Sequence, residues 1–351
     1  MKRERPPSPN ARYASTVVTG CGWVTPFAAG TISDILTAER TLTAESFSRR
    51  SYRAVPDHFR DNVPGLSAEL SRDKGAWITA AALTYACRDA SLATDSLQPD
   101  RVGVALGCSL AGQQGMIDFA GEVRAQSSRF VSPIHFPLTV GNYVAGALAR
   151  AYHLRGPNFT IASGVSAGLE AVLEGCSLVN NGKADVVFAG GAERLSEELA
   201  RSFAPPRDDL SEGACLFVLE SAAHAHARGG HVLASVMDST HLRTNECPRR
   251  DRAAQTIVSV AGLTQPDAIV IEHWIGRCPG ALAAAAAAAA IGAANGLRVP
   301  CSSRTDPGLV SSRLIRPDDR RSSRDRVAAV VLAGAGRVQP TVLELIVNCR
   351  A

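Results

Sequence analysis

The stretch Arg155 to Gly168, RGPNFTIASGVSAG, constrains this chain more than any other. Asn158 to Ala162 reads as an extended run that breaks at Ser163-Gly164 and turns into a helix. The spacing of Leu169, Val172, Leu173, Cys176 and Val179 predicts one buried face on that helix. The helix stops at Asn180-Asn181-Gly182, a C-terminal signal. A strand that ends in a small-residue turn at a helix start is a place where enzymes mount a nucleophile, because the first-turn N–H groups favour negative charge. The residue at this turn is Val165, which carries no nucleophilic atom. Ser163 and Ser166 flank it, and both read as helix caps.

The remaining pattern alternates strands with helices, which predicts an α/β protein. Thr16 to Trp23 reads as a buried strand entering a turn at Gly20 and Gly22. Lys74 to Leu92 carries apolar residues at helical spacing, and Val140 to His153 is a second helix. Arg101 to Gly107, Ala184 to Gly191 and Gly213 to Ser221 are continuous apolar strands, as in a sheet covered on both faces. Residues 41 to 71 hold several prolines and no clean period, and read as a surface excursion. In the second half, Val232 to Met237 and Asp267 to His273 read as strands. Arg252 to Gly262 and Ala281 to Asn295 read as helices, and Arg326 to Leu332 with Thr341 to Val347 as a closing strand pair. The two halves suggest an internal duplication.

Composition bounds the function. The 351 residues are 46% hydrophobic and 20% charged, with a net charge of +4. That balance does not argue for a nucleic-acid partner, and it suits an acidic protein partner. The nine cysteines are scattered, with no pair or Cys/His cluster at metal spacing, so no metal is expected and buried, reduced thiols are. The basic, Pro-rich start, residues 1–13, reads as a disordered tail rather than a signal peptide. No apolar run is long enough to span a membrane, and the expected location is the cytoplasm. The arginine-dense tract Ser311 to Arg326 reads as a solvated loop or as a docking patch for an acidic carrier protein.

Six segments in order resemble the β-ketoacyl-ACP synthases, the type II elongating condensing enzymes of the thiolase fold. They are VVTGCGWVTPFAAG (17–30), RVGVALGCSLAG (101–112), Ser132-Pro133 with Asn142, GPNFTIASGVSAG (156–168), GKADVVFAGGAE (182–193) and EGACLFVLESAAHAHARG (212–229). The resemblance implies two pseudo-duplicated halves in a layered αβαβα arrangement, residues 14–225 and a truncated 226–351. It also implies a mechanism built on one cysteine and two histidines. Val165 stands at the cysteine position. His273 keeps the first histidine but loses most of the motif around it. Arg304 and Leu309 stand where the family has a lysine and, five residues later, the second histidine. Ala335 replaces the phenylalanine of the C-terminal gate. The segments Phe203 to Gly213 and Leu242 to Gln255 are short for the family.

Valine forms no thioester, and leucine donates no hydrogen bond to an oxyanion. The resemblance therefore implies a degenerate member of the chain-length-factor type, a non-catalytic partner that heterodimerises with an active ketosynthase in fatty acid, polyketide or polyene biosynthesis. Its other expected partner is acyl carrier protein with a phosphopantetheine-bound chain, and no cofactor is implied. Asn158, Phe159, Thr160, Ile161 and Ala162 would form the strand at the dimer interface, with Phe136 and Tyr143 reaching toward the partner's pocket. The alternatives are a homodimeric scaffold that binds acyl carrier protein, or an acyltransferase of altered chemistry using the elbow serines or His273.

Overall fold

The computed structural model describes residues 16–38, 52–64, 66–110, 112–202, 210–241, 256–260, 269–270, 278, 280–281, 284–285, 288–289, 291, 325–332 and 341–348. The expected tail at 1–13 and the gate position at 335 lie outside them, and so do most of the arginine tract and of the two shortened segments.

The first half opens with β1 (Thr16–Val24) and the short hairpin strand β2 (Ala29–Thr31), which leads into α1 (Ile32–Thr37). Thr31 caps α1 through a box closed by Asp34, as the Thr-x-x-Asp spacing dictates. Next come α2 (Lys74–Asp89), β3 (Val102–Gly107), α3 (Gln113–Gln126), α4 (Tyr143–Ala151) and β4 (Asn158–Ile161). The half closes with α5 (Ala167–Asn180), β5 (Val186–Glu193), α6 (Glu197–Ser202), β6 (Gly213–Ser221) and α7 (Ala222–Ala227). The second half contributes β7 (Ala234–His241), β8 (Thr256–Val260), β9 (Ile269–Val270), β10 (Asp325–Leu332) and β11 (Thr341–Asn348).

The strands run β4-β3-β5-β6-β1-β7-β11-β10-β8-β9 in one hydrogen-bonded sheet. With the β2 hairpin set aside, each half orders its five strands the same way. From its outer edge inward, each half reads third, second, fourth, fifth, first. The halves meet where their first strands, β1 and β7, pair antiparallel. The expected duplication is thus visible in topology. The continuity of the sheet across the two halves was not legible in the sequence.

Side-chain alternation explains why the strands read as unbroken apolar runs. Val187 and Ala189 of β5, with Cys215, Phe217 and Leu219 of β6, pack on α5 and on Ala284, Ala285, Ala288 and Ala289. Val186, Phe188, Leu216 and Val218 point to the other face, onto α2 and α4. Both faces of a strand with period two are covered, so neither set is polar. Helix α5 also touches β11, which makes it a layer between the halves.

Three expectations give way here. Gly20 and Gly22 do not form a turn, because β1 runs through both of them. A Cβ on Gly22 would lie 1.9 Å from the Ala82 carbonyl oxygen of α2. Glycine inside a strand marks a close backbone approach here, not a bend. The predicted helix at 252–262 contains β8, whose residues TIVSV pair antiparallel with β10. Four of those five residues are β-branched, and that favours a strand over the helical reading of the apolar spacing. The excursion at 41–71 is not purely superficial, since Tyr52, Val55, Val63 and Leu70 are buried. Its anchor is Glu212, which accepts from the Val55 N–H at 2.9 Å and the Leu195 N–H at 3.1 Å, and pairs with Lys74 at 2.6 Å.

Candidate functional site

β4 ends at Ile161, and a single 3-10 turn, Gly164–Ser166, feeds α5. Gly164 takes φ +85°, a left-handed conformation that suits glycine, and Val165 lies at the middle of the turn. The strand–turn–helix elbow read from the sequence is therefore present. Gly107 at the end of β3 backs it, since a Cβ there would lie 2.2 Å from the Ala167 carbonyl carbon. From the second half, Gly280 presses on the same place. A Cβ on Gly168 would come within 2.7 Å, and one on Gly191 within 2.1 Å, of the Gly280 carbonyl oxygen.

The elbow serines do not cap. Ser166 occupies the N-cap of α5 without a side-chain capping bond. Its buried hydroxyl instead donates to Glu170 Oε1 at 2.6 Å, and Ser163 Oγ lies 3.5 Å from Ser166 Oγ. A carboxylate one turn along α5 competes successfully for that proton. The sequence signal for it, Ser-x-x-x-Glu across the helix start, was readable.

β4 is the outermost strand, paired with β3 alone among the described residues. The Val104 N–H donates to Pro157 O, and the Cys108 N–H to Ile161 O. In a parallel ladder this leaves the backbone groups of Asn158 and Thr160 facing the open edge. Phe159 and Ile161 are half-buried against the core, and Ala162 is exposed. The Asn158 side chain donates to Ala145 O at 3.0 Å. Thr160 Oγ1 is buried without a hydrogen-bond partner.

Tyr143 is buried at the start of α4, where its hydroxyl donates to Glu69 O. Phe136, in a 3-10 turn over Pro133–Thr139, is 58% exposed and edge-on to Phe119. It belongs to an exposed apolar set with Met116, Ile117, Phe130, Ile134 and Val140. The structure thus places Phe136 at the surface and Tyr143 in the core. His273, Arg304, Leu309 and Ala335 lie outside the described residues.

A buried polar cluster behind the elbow was missed by the sequence reading. Glu193 closes β5, and its carboxylate accepts the N–H groups of Ser109, Leu110 and Gly280. Burial raises its pKa to about 7, against the lowering effect of those N–H donors. Beside it, Arg194 pairs with Asp73, whose other oxygen caps α2 at the Ala76 N–H. Asp73, Leu110, Gln114, Tyr143, Glu193 and Arg194 line a small cavity of about 30 Å³ that opens to solvent. The signal for Asp73 was present, since an Asp before a helical run is an N-cap. Glu193 ends the segment 182–193 and carries no such signal.

The six cysteines among the described residues are free and buried, as expected of small apolar side chains. Burial pushes the Cys87 and Cys176 thiols up to about 12, far from the range in which a thiolate reacts.

Residues 37–229 match the family described as "Beta-ketoacyl synthase, N-terminal domain", which covers more than half of the chain. The chain belongs to the beta-ketoacyl synthase family. It is 26% identical over 306 residues to a 3-oxoacyl-[acyl-carrier-protein] synthase 2 of Rhizobium meliloti (strain 1021), covering 72% of this chain and 71% of that protein. It is 28% identical over 258 residues to the Granaticin polyketide putative beta-ketoacyl synthase 1 of Streptomyces violaceoruber, covering 63% of this chain and 61% of that protein. Among solved structures, "The ishigamide ketosynthase/chain length factor" matches with a TM-score of 0.63 at 18% identity, over 96% of this chain and 100% of that one. The fold is thus the thiolase-like fold of the ketosynthases. Among the described residues, no helix is long and apolar enough to cross a membrane.

Proposed function

We propose that this ketosynthase-family chain is a non-catalytic partner subunit that heterodimerises with an active β-ketoacyl synthase and receives chains carried on acyl carrier protein. The observation that carries the reading is the elbow. Its strand, left-handed glycine and helix are kept, while Val165 stands where the resemblance puts the acyl-accepting cysteine. A fold held without its nucleophile is a fold retained for what it binds.

Two further observations support it. Among the described residues, the edge of β4 is open, with backbone groups that no strand pairs and no charged side chain, and such an edge is a template for another strand. Met116, Phe130, Ile134 and Phe136 expose apolar area of the kind that marks an interaction surface. The Thr160 N–H faces the open edge rather than β3, so Thr160→Pro removes a donor that a partner strand would use. Proline is tolerated at such a position. We expect the wild-type chain to co-purify with a tagged active ketosynthase, and Thr160→Pro to lose at least about 10-fold in recovery while keeping its thermal midpoint. Equal recovery of the two would place the interface elsewhere.

A further inference from the structure

We propose that Ser163 is an acyl-accepting serine, esterified once per chain by an acyl thioester, with its proton relayed through Ser166 to Glu170.

The relay has a fixed direction. Ser166 does not cap α5, and its buried hydroxyl donates to Glu170 Oε1 at 2.6 Å. A carboxylate only accepts, and a serine hydroxyl has one proton to give. With that proton committed to Glu170, Ser166 Oγ faces Ser163 as an acceptor. Ser163 Oγ lies 3.5 Å away, so the Ser163 hydroxyl is the donor of that contact. The contact is long, as contacts between a nucleophile and its base are before substrate binds. Both protons point from the elbow surface toward the half-buried carboxyl of Glu170. Among the described residues, Ser166 is the only hydrogen-bond partner of that carboxyl, and no cation pairs with it.

The outer end of the relay is open to a substrate. Ser163 is exposed. It precedes Gly164, where a Cβ would meet no atom of the described residues within 4 Å. The left-handed backbone of Gly164, φ +85°, disfavours any side chain that would fill this space. The first-turn N–H groups of α5 follow within a few residues, and such groups favour the oxyanion that forms when a thioester carbonyl is attacked.

The step balances in atoms and protons. Ser163 Oγ attacks the thioester carbonyl, an O–C bond forms and the C–S bond breaks. The Ser163 proton passes to Ser166 as the Ser166 proton passes to Glu170. That proton returns to the departing thiolate, which leaves as a thiol. Nothing is oxidised or reduced. The oxygen ester is a weaker acyl donor than the thioester it came from, so the acylated chain accumulates. This is one acylation rather than turnover, and it makes no carbon–carbon bond. It rests on the partner-subunit reading for one point alone, that thioester-bound chains come to this elbow.

The test uses the full chain by itself with octanoyl-N-acetylcysteamine, a small thioester that needs no carrier protein. Intact mass and peptide mapping read the product. We expect one octanoyl group per chain, on Ser163 and stable to neutral hydroxylamine, which strips thioesters from cysteines. Ser163→Ala should carry none. Glu170→Gln keeps an oxygen for Ser166 but takes no proton. It should lower the limiting acylation rate about 100-fold, with the half-saturating thioester concentration and the thermal midpoint unchanged. An unmodified wild type would overturn the proposal, and so would an ester on another residue or a Glu170→Gln rate equal to that of the wild type. Should Glu170→Gln fold poorly, Ser166→Ala cuts the same relay, and an undiminished rate in that variant overturns the proposal equally. The partner-subunit reading is decided by co-purification, so the two can fail separately.

Discussion

Val165→Cys will give the elbow an acyl-accepting thiol without restoring condensation. The turn places residue 165 directly before α5, where first-turn N–H groups and the helix dipole favour a thiolate. Incubated with an acyl carrier thioester, the variant should gain the mass of the acyl group on residue 165, while the wild type gains nothing there. Carbon–carbon bond formation needs more than the nucleophile. The resemblance puts Leu309 where the family has a histidine, and the loss of one oxyanion donor costs on the order of 100- to 1000-fold. The single variant should therefore elongate at no more than about one hundredth of the rate of an active ketosynthase, and adding Leu309→His should raise it. A single Val165→Cys variant that condenses at a ketosynthase's rate would show that the remaining machinery is intact.

Lys74→Met will destabilise the protein by about 3–5 kcal/mol at pH 8. Lys74 Nζ lies 2.6 Å from Glu212 Oε2, and the Glu212 side chain is fully buried. Methionine keeps the aliphatic stem and removes only the charge. What remains is a buried carboxylate with two backbone N–H donors and no cation. Burial already holds the Glu212 carboxyl above its usual range, with Lys74 pulling it down. Without the lysine the pKa rises further. A raised folded pKa stabilises fully below the ordinary carboxylate range, and that contribution is lost as the pH climbs through the raised value. The deficit should thus shrink on acidification toward pH 5, and Glu212→Gln in the same chain should recover much of it at pH 8. Denaturant unfolding across that range measures both effects. A loss below about 1 kcal/mol at pH 8 would mean that the pair is solvated like a surface one.

The parts legible in the sequence were those with short-range causes. β3, β5 and β6 announced themselves as apolar runs because both faces of the sheet are covered. α2, α4 and α5 announced themselves by apolar spacing, and the elbow by its small residues. What was not legible depends on contacts between distant segments. Gly20 and Gly22 look like a turn until α2 is laid across β1. TIVSV at 256–260 fits a helical period until β10 supplies a ladder. α3 was missed because it buries little, with Met116 and Ile117 facing outward. Prolines masked the packing of Tyr52 and Val55, which Glu212 fixes from far along the chain. In the candidate site, the extended run of β4 and the turn at Val165 were legible in the sequence, whereas the place of β4 at the sheet edge was not. Glu193 was not, because its partners Ser109, Leu110 and Gly280 are backbone donors more than 80 residues away. Backbone partners leave no trace in residue identity.

The partner-subunit account stands or falls on one reconstitution. An active ketosynthase, acyl carrier protein and malonyl and acyl substrates are combined with and without this chain, and the products are read by mass together with the native mass of the complex. The account predicts a one-to-one complex of the two ketosynthase-family chains, no product from this chain alone, and elongation or chain length that depends on its presence. A homodimer of this chain beside a ketosynthase that elongates identically without it would contradict the account.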